Sequence, residues 1–185
     1  MTAGGPGDEQ LTWNVAGLLT DDPGADRVID IDDVTLDLAE DLRLAAPLGG
    51  RVRLLRTNRG ILAHADLHGA LQLECSRCLR EIEHPIEIRF QEEFLPALDL
   101  ATGRPLATDD EPDVARLTDH HELDLAVPVR EAILLAEPIA ILCEPDCPGL
   151  CVVCGLRLDE GTHDHPTDDI DPRLEALRGF QAEDR

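Results

Sequence analysis

The run ILAHADLHGALQLECSRCLREIEHPIEIRF, residues 61–90, decides the fold. Ile61 to Glu74 is an aliphatic-rich stretch that begins after the turn residues Asn58, Arg59 and Gly60, the pattern of a strand entered from a tight turn. From Ile86 the residues alternate: Ile86, Ile88 and Phe90 point one way, Glu87 and Arg89 the other. Cys75 to Arg80 lies between the two strand-like runs and is expected at a hairpin tip. Upstream, Leu42 to Leu48 and Val52 to Thr57 read as two more short strands, and Arg27 to Asp32 alternates in part. The sum is an antiparallel meander with one buried face.

The hairpin tip carries Cys75 and Cys78. Cys143, Cys147, Cys151 and Cys154 follow far downstream in CEPDCPGLCVVCGLRLDEGTHDH, which ends on His163 and His165. Thiolate and imidazole are the ligands zinc prefers, and a structural site takes four of them tetrahedrally. Eight candidate donors suffice for two sites. Gly155, directly after Cys154, permits the left-handed backbone that a Cys-x-x-Cys knuckle needs, and Pro148 and Gly149 make a turn before Cys151. We expect Cys75, Cys78, Cys143 and Cys147 at one Zn2+ and Cys151, Cys154, His163 and His165 at the other, with one or two structural ions per chain. His163 and His165 are two apart, so on a strand they would face opposite ways. Either the backbone bends there or one histidine is spare.

Other uses of cysteine compete with this reading. Disulfides need an oxidising compartment, and MTAGGPGDEQ at the N-terminus has neither the basic nor the apolar part of a secretory signal. A redox Cys-x-x-Cys wants a strand before it and a helix after it; Cys75 and Cys78 instead interrupt two strands. Iron–sulfur clusters also take four thiolates, but the two histidines favour zinc. His120 and His121 are expected as exposed loop residues.

Around the meander we expect three helices. NVAGLL (Asn14 to Leu19) is a short one with Asn14 as N-cap. Leu123 to Glu137 is the main one, capped by Asp124 and stopped by Pro138, with Pro128 tolerable in its first turn. Its stripe of Leu125, Val129, Ala132, Ile133 and Ala136 belongs to the core. IDPRLEALRGF gives the last, with Asp171 as N-cap, Pro172 at the first helical position and Gly179 near the end. The expected class is therefore α+β: an antiparallel β meander packed with a few helices, plus a C-terminal zinc-knuckle segment. We divide the chain into a flexible tail at 1–10, a core at 11–142, and the knuckle segment with its helix at 143–185. Within the core, residues 95–122 form an acidic loop containing Pro96, Pro105, Pro112 and the run Asp109, Asp110, Glu111. A loop of that length is disordered or functional, and we expect disorder.

With 185 residues the chain suits one domain or one domain with a small appendage. Only 2% of residues are aromatic, so the core rests on Leu, Ile, Val and Ala, and a metal staple is energetically useful. The formal charge is −23, and every cationic side chain is Arg, which reads as compositional bias. Such a field repels a phosphate backbone and favours basic partners, although acidity also serves solubility alone. No apolar run approaches the ~20 residues that span a bilayer. A soluble cytoplasmic protein without a membrane partner is the expectation.

The pieces NVAGLL, LECSRCLREIEHPIEI, QEEFLP, DLAVPVREAILLAEPI, CEPDCPGLCVVCG and IDPRLEALRGF, in this order, resemble the YceD family, the large ribosomal RNA subunit accumulation proteins. Together they cover most of the chain. The long Cys-rich form of the family ends its knuckle with Cys-x-Cys; here His163 and His165 stand in that place, which exchanges one kind of metal ligand for another and leaves the pairing open. The resemblance implies a role in synthesis, processing or stability of 23S rRNA.

Three functions follow. The first is a non-enzymatic ribosome-biogenesis factor, an acidic zinc-stapled adaptor for large-subunit ribosomal proteins or assembly intermediates that touches 23S rRNA directly or indirectly. The second is direct RNA binding through Arg51, Arg53, Arg56 and Arg59; against it, phosphate gripping needs a wider basic footprint. The third is a zinc-dependent hydrolase or nuclease. Catalytic zinc usually keeps an open position among His and carboxylate ligands, whereas sulfur dominates here and neither a His-Glu-x-x-His nor a paired-carboxylate motif occurs.

Overall fold

The aliphatic runs between residues 26 and 94 pair into one sheet. The computed structural model describes residues 8–38, 42–99, 101–106, 114–165 and 172–177. In chain order these form β1 (Thr12–Asn14), α1 (Ala16–Thr20), β2 (Asp26–Val34), β3 (Arg43–Arg56), β4 (Ile61–Glu74), β5 (Glu81–Phe94), β6 (Glu122–Asp124) and α2 (Ala126–Ala136). Short 3-10 helices occupy Asp8–Leu11 and Pro172–Leu177. β2, β3, β4 and β5 lie side by side in that order, each antiparallel to the next, and β1 pairs with β6 in a separate two-stranded ladder. The fold is of the α+β class.

One face of the sheet is apolar because residues two apart share a face. Val52 and Leu54, then Ile61, Ala63, Ala65, Leu67 and Leu71, then Ile86 and Ile88 are buried on it. Over them pack Leu18 and Leu19 of α1 and Ala126, Val129 and Ile133 of α2. Each large aliphatic side chain so buried is worth roughly 1.5–3 kcal/mol. The opposite face stays in water. On it Asp30, Arg51, Asp66 and Arg89 follow one another across the four strands in a single register row. Arg51 meets Asp30 at 3.1 Å and Arg89 meets Asp66 at 3.4 Å.

Several expected boundaries shift. The runs Leu42 to Leu48 and Val52 to Thr57 merge into the one strand β3, Arg43–Arg56, with register shifts between Leu44 and Gly49. Between the two runs Gly50 takes φ +138°, where a Cβ would stand 2.3 Å from the Asp66 carbonyl oxygen, and the pairing with β4 continues through it. Both expected helix caps do bond the helix, but one step before its start. Asn14 Oδ1 accepts from Ala16 N–H at 3.1 Å, and Asp124 Oδ1 from Ala126 N–H at 2.8 Å. The N-cap positions are Val15 and Leu125, because Asn14 and Asp124 are engaged in the β1–β6 ladder. Glu137 ends α2 in extended geometry ahead of Pro138. The last helix is 3-10 over Pro172–Leu177; Asp171 and Gly179 lie outside the described residues.

Of the stretch read as a tail, Asp8 to Gln10 belong to the first 3-10 helix, which ends on the fully buried Leu11. The stretch read as a disordered loop is ordered at its ends. Leu95 N–H bonds the Ala115 carbonyl and Leu117 N–H the Leu95 carbonyl, both at 3.0 Å, because Leu117 buries its side chain in the core. The acidic run 109–111 lies outside the described residues.

Candidate metal centres

The β4–β5 hairpin tip is a tight knuckle. Leu79 N–H bonds the Cys75 carbonyl at 2.9 Å, and Cys75 N–H bonds the Arg80 carbonyl at 2.8 Å. The same pair of bonds recurs downstream, with Gly155 N–H on the Cys151 carbonyl at 2.8 Å and Cys151 N–H on the Leu156 carbonyl at 2.7 Å. In both knuckles the residue after the second cysteine is left-handed: Leu79 at φ 55° and Gly155 at φ 72°. Glycine accepts that conformation at no steric cost; leucine does not.

Two groups of four donors result: Cys75, Cys78, Cys143 and Cys147, and separately Cys151, Cys154, His163 and His165. Within each group the ligand atoms all lie within 4.8 Å of one another. In the first, Cys75 Sγ stands 3.7 Å from Cys147 Sγ, and Cys78 Sγ 3.7 Å from Cys143 Sγ. Tetrahedral zinc with sulfur at about 2.3 Å sets neighbouring sulfurs about 3.8 Å apart. A disulfide, by contrast, needs about 2.05 Å. In the second group Cys154 Sγ lies 3.5 Å from His163 Nδ1, close to the S···N edge of about 3.5 Å that the same geometry gives.

The histidines carry a further mark. His163 Nε2 lies 2.9 Å from the Arg157 carbonyl oxygen, so its N–H donates there and Nδ1 keeps a free lone pair on the cysteine side. His165 Nε2 is buried with no hydrogen-bond partner. An orphaned imidazole nitrogen beside two thiols and a second imidazole is the arrangement a metal would resolve. The backbone is irregular from Thr162 to His165, so both rings reach the same group. Both groups therefore fit a metal ion that prefers sulfur and nitrogen.

The thiol electrostatics agree. Burial pushes Cys75 up, but the amides of Cys78, Arg77 and Cys143 outweigh it and hold the thiol down at about 6. Burial, with hydrogen bonding to Cys147, Cys78 and Cys75, pushes Cys143 up to about 12. Burial likewise raises Cys147. The amides of Cys154 and Val153 lower Cys151. Thiols this close cannot all ionise against one another; a bound cation removes the conflict.

Arginine ties the parts together, a role that sequence reading missed. Arg77 Nη1 donates to the Cys147 carbonyl at 3.0 Å and Arg157 Nε to the Cys78 carbonyl at 3.1 Å. Arg80 pairs with Asp159 at 2.6 Å, which raises the arginine and holds the Asp159 carboxyl below its usual range. Ser76 and Ile141 exchange two hydrogen bonds, Ser76 N–H to the Ile141 carbonyl at 2.8 Å and Ile141 N–H to Ser76 Oγ at 3.1 Å. Their only sequence signal is position: each lies within a few residues of a cysteine.

The expected arginine patch is divided. Arg51 and Arg53 are on the open sheet face, but each meets a carboxylate, Asp30 at 3.1 Å and Asp26 at 2.9 Å. Arg56 is half-buried and bonds the carbonyls of Leu19, Thr57 and Gly60. Arg59 sits in the β3–β4 turn. His120 and His121 lie in the turn before β6, and among the described residues neither joins a group of potential ligands. His120 is exposed; His121 is half-buried at φ 58° with an unpaired Nδ1.

An α+β sheet domain whose hairpin tip and C-terminal segment form two Cys/His knuckles is the class that fold and site define. The sequence profile of the large ribosomal RNA subunit accumulation protein YceD matches residues 63–181, which takes in most of β4, all of β5 and α2, and both knuckles, and the chain belongs to this family. An uncharacterized protein of Mycobacterium tuberculosis is 34% identical over 127 residues, 68% of this chain and 58% of its own length. One from Mycobacterium leprae is 28% identical over 141 residues, 75% of this chain and 61% of its own. The uncharacterized protein YlbN of Bacillus subtilis is 26% identical over 161 residues, 86% and 88% respectively. The chain thus spans about three fifths of the length of the mycobacterial relatives. No solved structure matches it. Among the described residues no helix is long and apolar enough to cross a membrane.

Proposed function

We propose that this protein is a non-enzymatic, cytoplasmic ribosome-biogenesis factor that supports synthesis, processing or stability of 23S rRNA. It acts as an acidic adaptor for large-subunit ribosomal proteins, and two structural zinc ions staple its knuckles. The observation that carries the reading is the match of residues 63–181 to a family described by large ribosomal RNA subunit accumulation. Zinc is the metal because each group offers four sulfur or nitrogen donors with tetrahedral spacing. Four protein donors leave no open position for an activated water, which argues for a structural ion over a hydrolase. The adaptor role rests on charge: a chain at −23 gains no counterion release from RNA unless it shows a basic patch. The arginines of the open sheet face are answered by Asp26, Asp30, Asp66 and Glu87.

Deleting the gene in its own host tests the reading: mature 23S rRNA should fall while 16S rRNA changes less. Unchanged 23S rRNA would sink it. Arg51→Gln with Arg53→Gln separates adaptor from direct RNA contact and spares Arg56, which the fold uses. If rRNA then falls while ribosomal-protein binding survives, direct RNA recognition replaces the adaptor.

A further inference from the structure

The knuckles leave aliphatic side chains in water. Val152 is fully exposed, Val153 62%, Leu156 61% and Leu79 54%. Val152 and Val153 form the tip between Cys151 and Cys154, and the Cys151–Leu156 backbone bond closes Leu156 back beside them. The Arg157–Cys78 bond draws in the other knuckle, with Leu79 one residue further on. Other large aliphatics are exposed too, Leu135 and Ile139 the most, but those lie on and just after α2, away from the Cys-x-x-Cys turns. Contiguous exposed aliphatics on a small rigid support mark an interaction site.

The frame around them is anionic. From Cys143 to His165 the chain has Glu144, Asp146, Asp159, Glu160 and Asp164 against Arg157, and the first knuckle adds Arg77 (bonded to the Cys147 carbonyl), Arg80 and Glu81. Asp159 and Glu160 are paired with Arg80 and Arg157, while Glu144, Asp146 and Asp164 are exposed. Four thiolates around one divalent ion would add net negative charge beneath the surface. An apolar tip in an acidic frame complements a cationic segment with its own aliphatic side chains; a nucleic acid would meet the wrong sign.

We propose that the paired knuckles are the docking surface for the partner protein, and that the occupant is a lysine- or arginine-rich segment bearing aliphatic side chains. This rests on the adaptor reading and gives it a place on the molecule. The Cys-x-x-Cys turns hold the tip open before binding, so little ordering entropy is lost on association.

The test uses the full-length, metal-replete protein at physiological salt. The probes are a 20-residue Lys/Leu peptide, the same peptide with Ser for Leu, and a single-stranded RNA of equal length. The variant is Val152→Ser, Val153→Ser and Leu156→Ser together, with metal content measured to confirm that the knuckle is intact. The Lys/Leu peptide should bind the wild type and lose about tenfold or more on the triple variant, as central apolar contacts do when truncated. It should also lose on replacement of its leucines. If the wild type binds the peptide and the variant binds it equally, the docking site is wrong and the adaptor reading stands. If the wild type ignores the peptide, the proposed occupant is wrong, and the 23S rRNA level in the deletion strain decides the adaptor reading separately. Tighter binding of the RNA, lost on the variant, would overturn the proposed occupant.

Discussion

Cys75 to Arg80 and Cys151 to Leu156 follow the same backbone path with the same two hydrogen bonds, yet their surroundings differ. The first knuckle grows from two 14-residue strands and draws its other donors from Cys143 and Cys147, 65 and 72 positions away from their sulfur partners. Three of its four cysteines are buried, and Ile82, Leu142 and Leu150 pack against them. The second knuckle finds all its donors within its own short segment, and Cys154 is exposed. One turn motif thus serves two ends. A metal in the first would join the meander to the segment that leaves α2, while a metal in the second would give shape to a segment too short for a core of its own.

The largest expected effect separates the two. Cys78→Ser should destabilise the chain by about 3 kcal/mol or more, because the long-range clip closes a large loop. Hydrogen exchange should rise in the β4–β5 tip and from Ile141 to Leu150 together. Cys151→Ser should speed exchange only from Gly149 to His165. The comparison breaks if both variants loosen the chain to the same extent and in the same places.

Metal removal should separate the same two groups by rate. A chelator added to the zinc-loaded protein should strip the exposed second group first and the buried first group later. Ligands must be deprotonated to bind, so affinity falls as pH falls and both phases should quicken on acidification. Zinc release followed with a colorimetric indicator should show two phases; a single phase at every pH would count against two sites of unequal burial.

His163 and His165 sharpen the second group further. Each substitution to Ala should weaken that metal, whereas a spare ring would cost nothing. The expected loss is about 10–100-fold, the scale of disrupting a ligand or its support. Competition with a chelator of known affinity measures it. Unchanged affinity in His165→Ala would make that nitrogen a merely buried one.

How much of this was legible follows from the range of each interaction. β4 was readable to its ends because its aliphatic run and bounding turn are local. The two donor groups could be anticipated because cysteine and histidine are few and chemically distinctive. β1 and β6 were not readable: three residues carry no periodicity, and only their pairing across the fold makes them strands. β3 reads as two strands because its aliphatic runs are separate in sequence, and only the pairing with β4 joins them across Gly50. The ties made by Arg77, Arg80 and Arg157 run to backbone carbonyls or to a distant carboxylate. Among 16 arginines and 39 carboxylates, no local pattern singles them out.

The smallest effect tests whether the two turns are the same device. Leu79 holds φ 55° where its counterpart Gly155 holds φ 72°. A left-handed L-residue costs roughly 1–2 kcal/mol, and glycine gives back roughly 0.5–1 kcal/mol through the freer unfolded chain. Leu79 is more than half exposed, so its side chain loses little burial when removed. Leu79→Gly should therefore stabilise the chain slightly, by about 0.5 kcal/mol. Gly155→Ala should destabilise its knuckle by about 1 kcal/mol, although a Cβ there meets nothing within 4 Å, because the cost lies in φ and not in space. Urea midpoints of the metal-loaded protein check the first, and exchange rates across Cys151 to Leu158 the second. If Leu79→Gly destabilises, the leucine side chain holds the turn through contacts that its exposure hides, and the likeness of the two knuckles ends at the backbone.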